Sequence, residues 1–68
     1  MAQSKVSQNL NEQIEKKGVK GSAICRATGM TYNVLYPCMQ GRREYRADEL
    51  VAICGFIGIN PMILLEEG

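Results

Sequence analysis

Residues 21–41 have the sequence GSAICRATGMTYNVLYPCMQG, and this stretch decides the fold. Apolar residues recur at helical spacing on both sides of Gly29, which predicts two short helices with almost no linker between them. A glycine can adopt a positive φ without a Cβ penalty, so Gly29 is expected to end the first helix. Two short helices joined by so tight a turn must cross at a large angle.

The ends of the two helices are marked by particular residues. The first helix is expected to open at Gly21 or Ser22. The second is expected to have Thr31 as its N-cap, with the hydroxyl accepting a hydrogen bond from an amide two or three residues further on. Gly41 is expected to end the second helix.

Pro37 lies inside the second helix and predicts an irregularity there. Proline has no amide hydrogen, and its ring clashes with the carbonyl oxygen four residues earlier, which belongs to Asn33. It also biases Tyr36 away from helical backbone angles. Because apolar anchors continue on both sides, we expect a kink or a short loosened turn at residues 33–36 rather than loss of the helix.

One further helix is predicted before this stretch. Val6, Leu10 and Ile14 recur every four residues, which indicates one face of an amphipathic helix from about residue 4 to residue 17. Ser4 is a suitable N-cap for it. Gly18 follows two lysines and is expected to end it.

Two helices are predicted after the stretch. The first begins at Ala47 and has an apolar stripe that consists of Leu50, Ile53, Cys54 and Ile57. Gly55 within it costs about 1 kcal/mol relative to alanine, so close packing is expected at that point. Asn60 and Pro61 are typical of a helix start and predict a brief apolar helix that runs to Glu66 and Glu67. The expected fold class is therefore all-α, with five short helices in a single domain over residues 1–68.

The basic residues are concentrated in the middle of the chain. The whole chain carries a net charge of +1, but residues 16–46 contain seven basic side chains and one acid, Glu44, a local net charge of +6. The residues on either side together carry −5. A basic segment between acidic flanks is typical of a surface that binds a polyanion, although a solvated surface segregated by chance is the alternative.

Composition argues against several classes of protein. A chain of 68 residues buries too small a core for a large enzymatic cleft. It has three cysteines and no histidine, so Cys25, Cys38 and Cys54 are expected to be small buried hydrophobic residues in a reducing compartment. We expect no metal, no cofactor, no small-molecule ligand and, because no catalytic constellation can be assembled, no enzymatic activity.

The chain has no apolar stretch near the roughly 20 residues of a membrane span. Residues 1–10 are polar and lack the apolar core of a signal peptide. The sequence therefore favours a cytoplasmic protein without membrane association.

Residues 23–31, AICRATGMT, carry a more specific pattern. A small residue, Cys25, stands four positions before Gly29, and an apolar residue, Met30, then Thr31 follow the glycine. This frame resembles the helix-turn-helix of the phage Cro and repressor class of DNA-binding regulators. Further matches to that class are the glycine and two arginines at 41–43 and the run Gly-Ile-Asn-Pro at 58–61. The resemblance spans about residues 19–65 and implies a lambda-repressor-like fold with its helix-turn-helix at about residues 21–40.

Several positions depart from that family. Gly21 stands where the family usually has a glutamine that braces the recognition helix and touches a phosphate. Tyr45 and Arg46 replace the usual loop proline and cap, and Pro37 is unusual within the recognition helix. Pro37 and the missing glutamine are the best support for the alternative interpretation, a protein-interaction module or antitoxin-like partner that keeps the fold without reading DNA.

The resemblance implies which side chains contact DNA. Residues at the N-terminal end of the recognition helix project into the major groove. Asn33 can make a paired contact with adenine, and Tyr32 and Tyr36 can touch a thymine methyl group or a phosphate. The alternatives are a local backbone bond for Asn33 and surface packing for the tyrosines. The expected base-reading set is Thr31, Tyr32, Asn33 and Tyr36.

A second group of side chains is expected to contact phosphates. Arg42, Arg43 and Arg46 lie just beyond the recognition helix, and Lys20 and Ser22 lie at the start of the preceding helix. Such contacts position a protein on the duplex without reading its sequence. The alternative for the arginines is an ordinary solvated loop.

Apolar residues near the C-terminus exceed what so small a core needs. They are Phe56, Ile59, Met62, Leu64 and Leu65. Apolar side chains that the core does not need suit a two-fold dimer interface, and packing within the core is the alternative. The expected function is a sequence-specific, double-stranded-DNA-binding transcriptional regulator in the cytoplasm of a bacterial or phage-infected cell. We expect a Cro-like repressor that binds a short palindromic operator as a homodimer, at least on DNA.

Overall fold

A computed structural model describes residues 3–65, which form four α-helices and a final 3₁₀ helix. The elements are α1 (Lys5–Lys17), α2 (Gly21–Thr28), α3 (Tyr32–Met39), α4 (Ala47–Ile57) and the 3₁₀ helix (Pro61–Leu65). No strand occurs within these residues, so the all-α prediction is confirmed for them. The last predicted element takes the tighter 3₁₀ form, and the acidic pair Glu66 and Glu67 lies outside the described residues.

Both predicted ends of α1 are confirmed. The Ser4 hydroxyl accepts a hydrogen bond from the amide of Ser7 at 3.4 Å, as an N-cap does. At the other end, the amide of Gly18 donates to the carbonyl of Glu15 at 3.1 Å, and two lysines occupy the last turn. The helix buries Leu10 and Ile14 on its inner face.

The helix α4 begins at Ala47 as predicted, but its packing at Gly55 differs from the prediction. The Glu49 carboxylate accepts a hydrogen bond from the Arg46 amide at 3.0 Å and closes the first turn. Arginine has no side-chain acceptor, so the reciprocal half of a capping box cannot form. Gly55 is exposed, and a Cβ built there meets no heavy atom of the described residues within 4 Å, so the expected close packing is wrong.

The 3₁₀ helix starts where the sequence predicts. The Asn60 side-chain oxygen accepts a hydrogen bond from the Met62 amide at 3.0 Å. Leu64 is buried, which corrects its assignment to a dimer interface, whereas Met62 and Leu65 are 63 % and 60 % exposed. Within this 3₁₀ helix Leu64 is the buried side chain, and it packs into the core against α1 and α4.

One hydrophobic core joins all five elements. The helix α1 packs against α4 and the 3₁₀ helix, and α2 packs against both α3 and α4. All three cysteines are free thiols; Cys38 and Cys54 are buried, but Cys25 is only partly so, which corrects the expectation that each is buried. The core consists of Leu10, Ile14, Ile24, Leu35, Cys38, Tyr45, Ile53, Cys54, Ile57 and Leu64.

Candidate nucleic-acid interface

Only three residues separate α2 from α3, and local hydrogen bonds hold this turn. Gly29 has a φ of 79°, the left-handed conformation that glycine adopts without strain. The Thr28 hydroxyl donates to the carbonyl of Ile24 at 2.7 Å and accepts from the amide of Met30 at 3.4 Å. Together these contacts fix the direction in which the chain enters α3.

The N-terminus of α3 is capped by main chain and not by a side chain. Thr31 is the N-cap residue, with extended backbone angles, but within the described residues its hydroxyl makes no capping bond. The predicted cap is therefore wrong in its chemistry. The Thr31 carbonyl already accepts the amides of Val34 at 3.1 Å and Leu35 at 3.0 Å, and the exposed hydroxyl is left outside the helix.

Pro37 does not interrupt α3. The helix runs continuously from Tyr32 to Met39 with the proline inside it, so the predicted loosened turn at residues 33–36 is wrong. Leu35 and Cys38 are fully buried on either side of Pro37 and keep the helix against the core. A kink in the helix axis stays a prediction.

The exposed side of α3 carries the residues expected to reach base edges. Thr31, Tyr32, Asn33 and Tyr36 are all exposed. The rings of Tyr32 and Tyr36 are stacked, with centroids 5.1 Å apart and planes 28° apart. The two tyrosines remain 50 % and 44 % exposed, so they form a joint aromatic surface and not part of the core.

The close contact between α2 and α3 occurs at Gly21. A Cβ at this position would lie 3.1 Å from Cε1 of Tyr32 and 3.2 Å from Sδ of Met39. Both distances are shorter than an ordinary van der Waals contact. A residue with a side chain at position 21 would therefore require the Tyr32 ring and the Met39 side chain to shift.

The C-terminus of α3 is held by residues that sequence reasoning missed. Gln3 is 7 % exposed, and its side-chain amide donates to the carbonyls of Cys38 at 2.7 Å and Arg43 at 2.6 Å. Asn11 donates to the same Cys38 carbonyl at 2.8 Å and to the Gln3 side-chain oxygen at 3.0 Å. The Cys38 carbonyl, in the last turn of α3, also accepts from the Gly41 amide at 3.1 Å, and the Arg43 carbonyl lies in the following loop. These side-chain bonds therefore tie the end of α3 and the loop after it to the N-terminal part of the chain.

Glu44, the one acid of the basic segment, is bound to the N-terminus of α1. Its carboxylate accepts hydrogen bonds from the Ser7 hydroxyl at 2.7 Å, the Ser4 hydroxyl at 2.8 Å and the Ser4 amide. The hydrogen bond from Ser7, followed by those from Ser4, lowers the pKa of this carboxyl. Its negative charge thus lies at a helix N-terminus, where it is favourable, and no sequence motif indicated this.

Tyr45 anchors the loop between α3 and α4. It is buried, its hydroxyl donates to the Asn11 side-chain oxygen, and its amide donates to the Ser7 hydroxyl at 3.2 Å. Burial raises the pKa of this phenol above its usual range. The loop that carries the arginines is therefore fixed to α1 and is not a free solvated segment.

The three arginines of this loop differ in their freedom. Nη1 of Arg43 lies 3.0 Å from the Cys38 sulfur and 3.3 Å from the Glu49 carboxylate, and its side chain is 36 % exposed. The hydrogen bond to Cys38 is the main cause that raises the pKa of Arg43. Arg42 and Arg46 are exposed, with Arg42 donating to the side chain of Gln40.

The remaining basic contacts are on the surface. Arg46 lies 3.9 Å from Asp48, but both side chains are mostly exposed, and such pairs add little stability. Lys20 and Ser22 are exposed at the first turn of α2, next to the contact between Gly21 and Tyr32. The expected phosphate-contacting residues thus lie at the start of α2 and in the loop between α3 and α4, where Arg46 is the N-cap residue of α4.

Two other kinds of site are absent from residues 3–65. That part of the chain contains no group of three or more His, Cys, Asp or Glu side chains that could hold a metal ion. None of its helices is long and apolar enough to cross a membrane.

Comparison with known proteins gives one match. No curated protein and no solved structure matches the chain. The family model of the Cro/C1-type helix-turn-helix DNA-binding domain matches residues 9–66. The match includes α2, α3, α4 and the 3₁₀ helix in full, and most of α1. The chain therefore belongs to the Cro/C1-type helix-turn-helix DNA-binding domain family.

Proposed function

We propose that this protein is a transcriptional regulator that binds double-stranded DNA in a sequence-specific manner. In this proposal it is a Cro-like repressor that binds a short palindromic operator and forms a homodimer, at least on DNA. The observation that carries the proposal is the exposed side of α3. Thr31, Tyr32, Asn33 and Tyr36 all face solvent at the N-terminal end of a helix whose far side is fixed in the core. In this proposal residues 1–68 act as one DNA-binding domain.

The exposed side of α3 fits the major groove, which is about 12 Å wide and admits one helix. Asn33 is exposed in the first turn, where its amide can donate to and accept from adenine. The aromatic surface of Tyr32 and Tyr36 lies beside it. These three side chains are proposed to distinguish base pairs.

Phosphate contacts are assigned to the exposed basic and polar residues around the two helices. Lys20 and Ser22 lie at the start of α2, and Arg42 and Arg46 lie after α3. Arg43 is included, but through the guanidinium nitrogens other than Nη1, which is bonded to Cys38 and Glu49. These contacts provide affinity that depends on salt and not on sequence.

The dimer interface is assigned to the apolar surface of α4 and the 3₁₀ helix. Its exposed large apolar side chains are Val51, Phe56, Met62, Ile63 and Leu65. A two-fold dimer would present two copies of α3 to half-sites about 34–36 Å apart, one turn of B-DNA. A palindromic operator follows from that symmetry.

The test is selection of binding sites from random double-stranded DNA, followed by binding measurements at several salt concentrations and gel filtration of the complex. We expect a palindromic consensus, two protein chains per site, and an affinity that falls linearly with salt on logarithmic axes. The double change Arg42→Ala with Arg46→Ala should weaken binding and flatten the salt dependence. Lys5→Ala, an exposed lysine outside the basic segment, is the matched control. No enriched sequence, or binding unaffected by salt, contradicts the proposal.

The second candidate is a protein-interaction module or antitoxin-like partner that retains the fold. The exposed apolar residues of α4 and the 3₁₀ helix favour it, because such a surface also suits a different protein. It predicts that the variant carrying Arg42→Ala and Arg46→Ala still binds its partner protein as the wild type does, and that selection from random DNA yields no consensus. The same two experiments therefore separate the candidates.

A further inference from the structure

We infer that Gly21 is a positioning residue for the stacked pair Tyr32–Tyr36, and that this pair acts as one preorganised apolar surface that recognises the C5 methyl groups of thymine. The inference rests on the proposed DNA-reading role of α3. It assigns to a residue of α2 a part in sequence discrimination, and it names the chemical group that the aromatic surface recognises.

The first step is the contact at Gly21. A Cβ there would lie 3.1 Å from Cε1 of Tyr32, 3.2 Å from Sδ of Met39 and 3.8 Å from Cδ2 of Leu35. Leu35 is fully buried, so the side of α3 that faces Gly21 is continuous with the core. The Tyr32 ring therefore rests against the start of α2 at a distance that a side chain at position 21 would disturb.

The second step is the stack between the two rings. Tyr32 and Tyr36 are four residues apart, which places them on the same side of α3. Their centroid distance of 5.1 Å lies within the range of favourable aromatic pairs. Since Tyr32 is held at Gly21, Tyr36 is held through Tyr32. A pair fixed before binding loses less side-chain freedom when it meets a ligand.

The third step is the choice of ligand group. About half of each tyrosine is exposed, and most of a phenol ring is apolar. The major groove offers one apolar group on its base edges, the C5 methyl of thymine. A hydroxyl contact with a phosphate would serve any sequence and would not require the rings to be held in one arrangement. The geometry of the pair thus favours methyl recognition.

The test uses the DNA site obtained by selection, with each thymine replaced in turn by deoxyuridine, which lacks only the methyl group. We expect the wild-type protein to lose affinity about fourfold at one or two positions, the value for one buried methyl group. Tyr32→Phe and Tyr36→Phe should retain this discrimination, because they keep the rings and remove only the hydroxyls.

The variant Gly21→Ala then tests the positioning role. We expect it to remain folded, because the contacting atoms are side-chain ends that need to shift only a few tenths of an ångström. Because that shift changes the position of the Tyr32 ring, the variant should discriminate between thymine and deoxyuridine less well than the wild type does. The matched control is Gly55→Ala, which adds the same methyl group on α4 where no heavy atom beyond the chain neighbours and the helix's own backbone lies within 4 Å. Because Gly55 is on the helix assigned to the dimer interface, the quantity compared is the ratio of the affinities for thymine and deoxyuridine sites, which a change in dimer stability affects equally. The control should discriminate as the wild type does.

Each outcome has a distinct meaning. Equal binding of thymine and deoxyuridine at every position overturns methyl recognition while DNA binding stands. Discrimination equal to that of the wild type in a folded Gly21→Ala variant overturns the positioning role. If Gly21→Ala does not fold, Tyr32→Ala, at an exposed position, is used, and discrimination that survives it overturns the inference. A wild-type protein that selects no DNA contradicts the proposed function itself.

Discussion

Alanine substitutions at Gly55 and Gly58, three residues apart, are expected to change stability in opposite directions. At neither position does a Cβ meet a heavy atom of the described residues within 4 Å, so side-chain contacts cannot cause the difference. Gly55 lies inside α4, where alanine is favoured over glycine by about 0.5–1 kcal/mol. Gly58 ends α4 with a φ of 80°, where a Cβ costs about 1–2 kcal/mol.

The stability changes expected at Gly55 and Gly58 combine into one measurable difference between the two variants. A smaller unfolded-state entropy offsets the cost at Gly58 by about 0.4–1 kcal/mol, which leaves a net destabilisation near 1 kcal/mol. The two variants should then differ by about 1.5–2 kcal/mol in free energy of unfolding. At about 4–8 °C per kcal/mol for a domain of this size, their melting temperatures should differ by roughly 6–16 °C, with Gly55→Ala above the wild type.

The assay is thermal and urea unfolding followed by far-ultraviolet circular dichroism, with both variants and the wild type measured together. Equal melting temperatures for the two variants, or a lower value for Gly55→Ala, refute the reasoning. Either result would mean that the backbone at these positions does not control the effect of the added methyl group.

Four further substitutions test other parts of the structure. Glu44→Gln should lower the free energy of unfolding at neutral pH, because hydrogen bonds to the ionised carboxylate lower the folded-state pKa of Glu44. The stability that this carboxylate contributes is present above its ordinary pKa of 4.5 and is lost as pH falls through the lowered pKa, which urea unfolding across a pH series measures. Arg46→Ala should reduce the slope of log affinity against log salt by about 1 per phosphate contact without changing the melting temperature. Arg43→Ala should instead lower the melting temperature, because it removes the contacts with Cys38 and Glu49. Thr31→Ala should change the free energy of unfolding by less than about 0.5 kcal/mol in denaturant titrations, since no side-chain cap is lost among the described residues.

Features with short-range sequence signals could be predicted. The cap at Ser4, the stop at Gly18 and the start at Asn60 each depend on residues within one helical turn, and all three are confirmed. The frame around Gly29 placed α2 and α3 correctly for the same reason. The exposed side of α3 followed from helical spacing once those boundaries were set.

Features that depend on distant residues could not be predicted. Gln3 reaches Cys38 and Glu44 reaches Ser4 and Ser7 across separations of 35–40 residues, and no periodicity connects them. Polar side chains are mostly exposed in proteins, so their residue types alone do not mark them as structural. Leu64 likewise packs into a core formed with α1 and α4, and an apolar run alone does not indicate which of its side chains does so.

The hydrogen bonds of Gln3 have a consequence for the order in which contacts form during folding. Gln3 donates to the carbonyls of Cys38 and Arg43 across 35 and 40 residues, so each of these bonds closes a long loop. Asn9 closes a longer one, since it donates to the carbonyl of Leu64 across 55 residues. Contacts between α2 and α3 are local and have a small loop-closure cost, so they can form first. The recognition helix therefore acquires the support at its C-terminal end only when the N-terminal segment packs against it, which makes that support one of the later contacts to form.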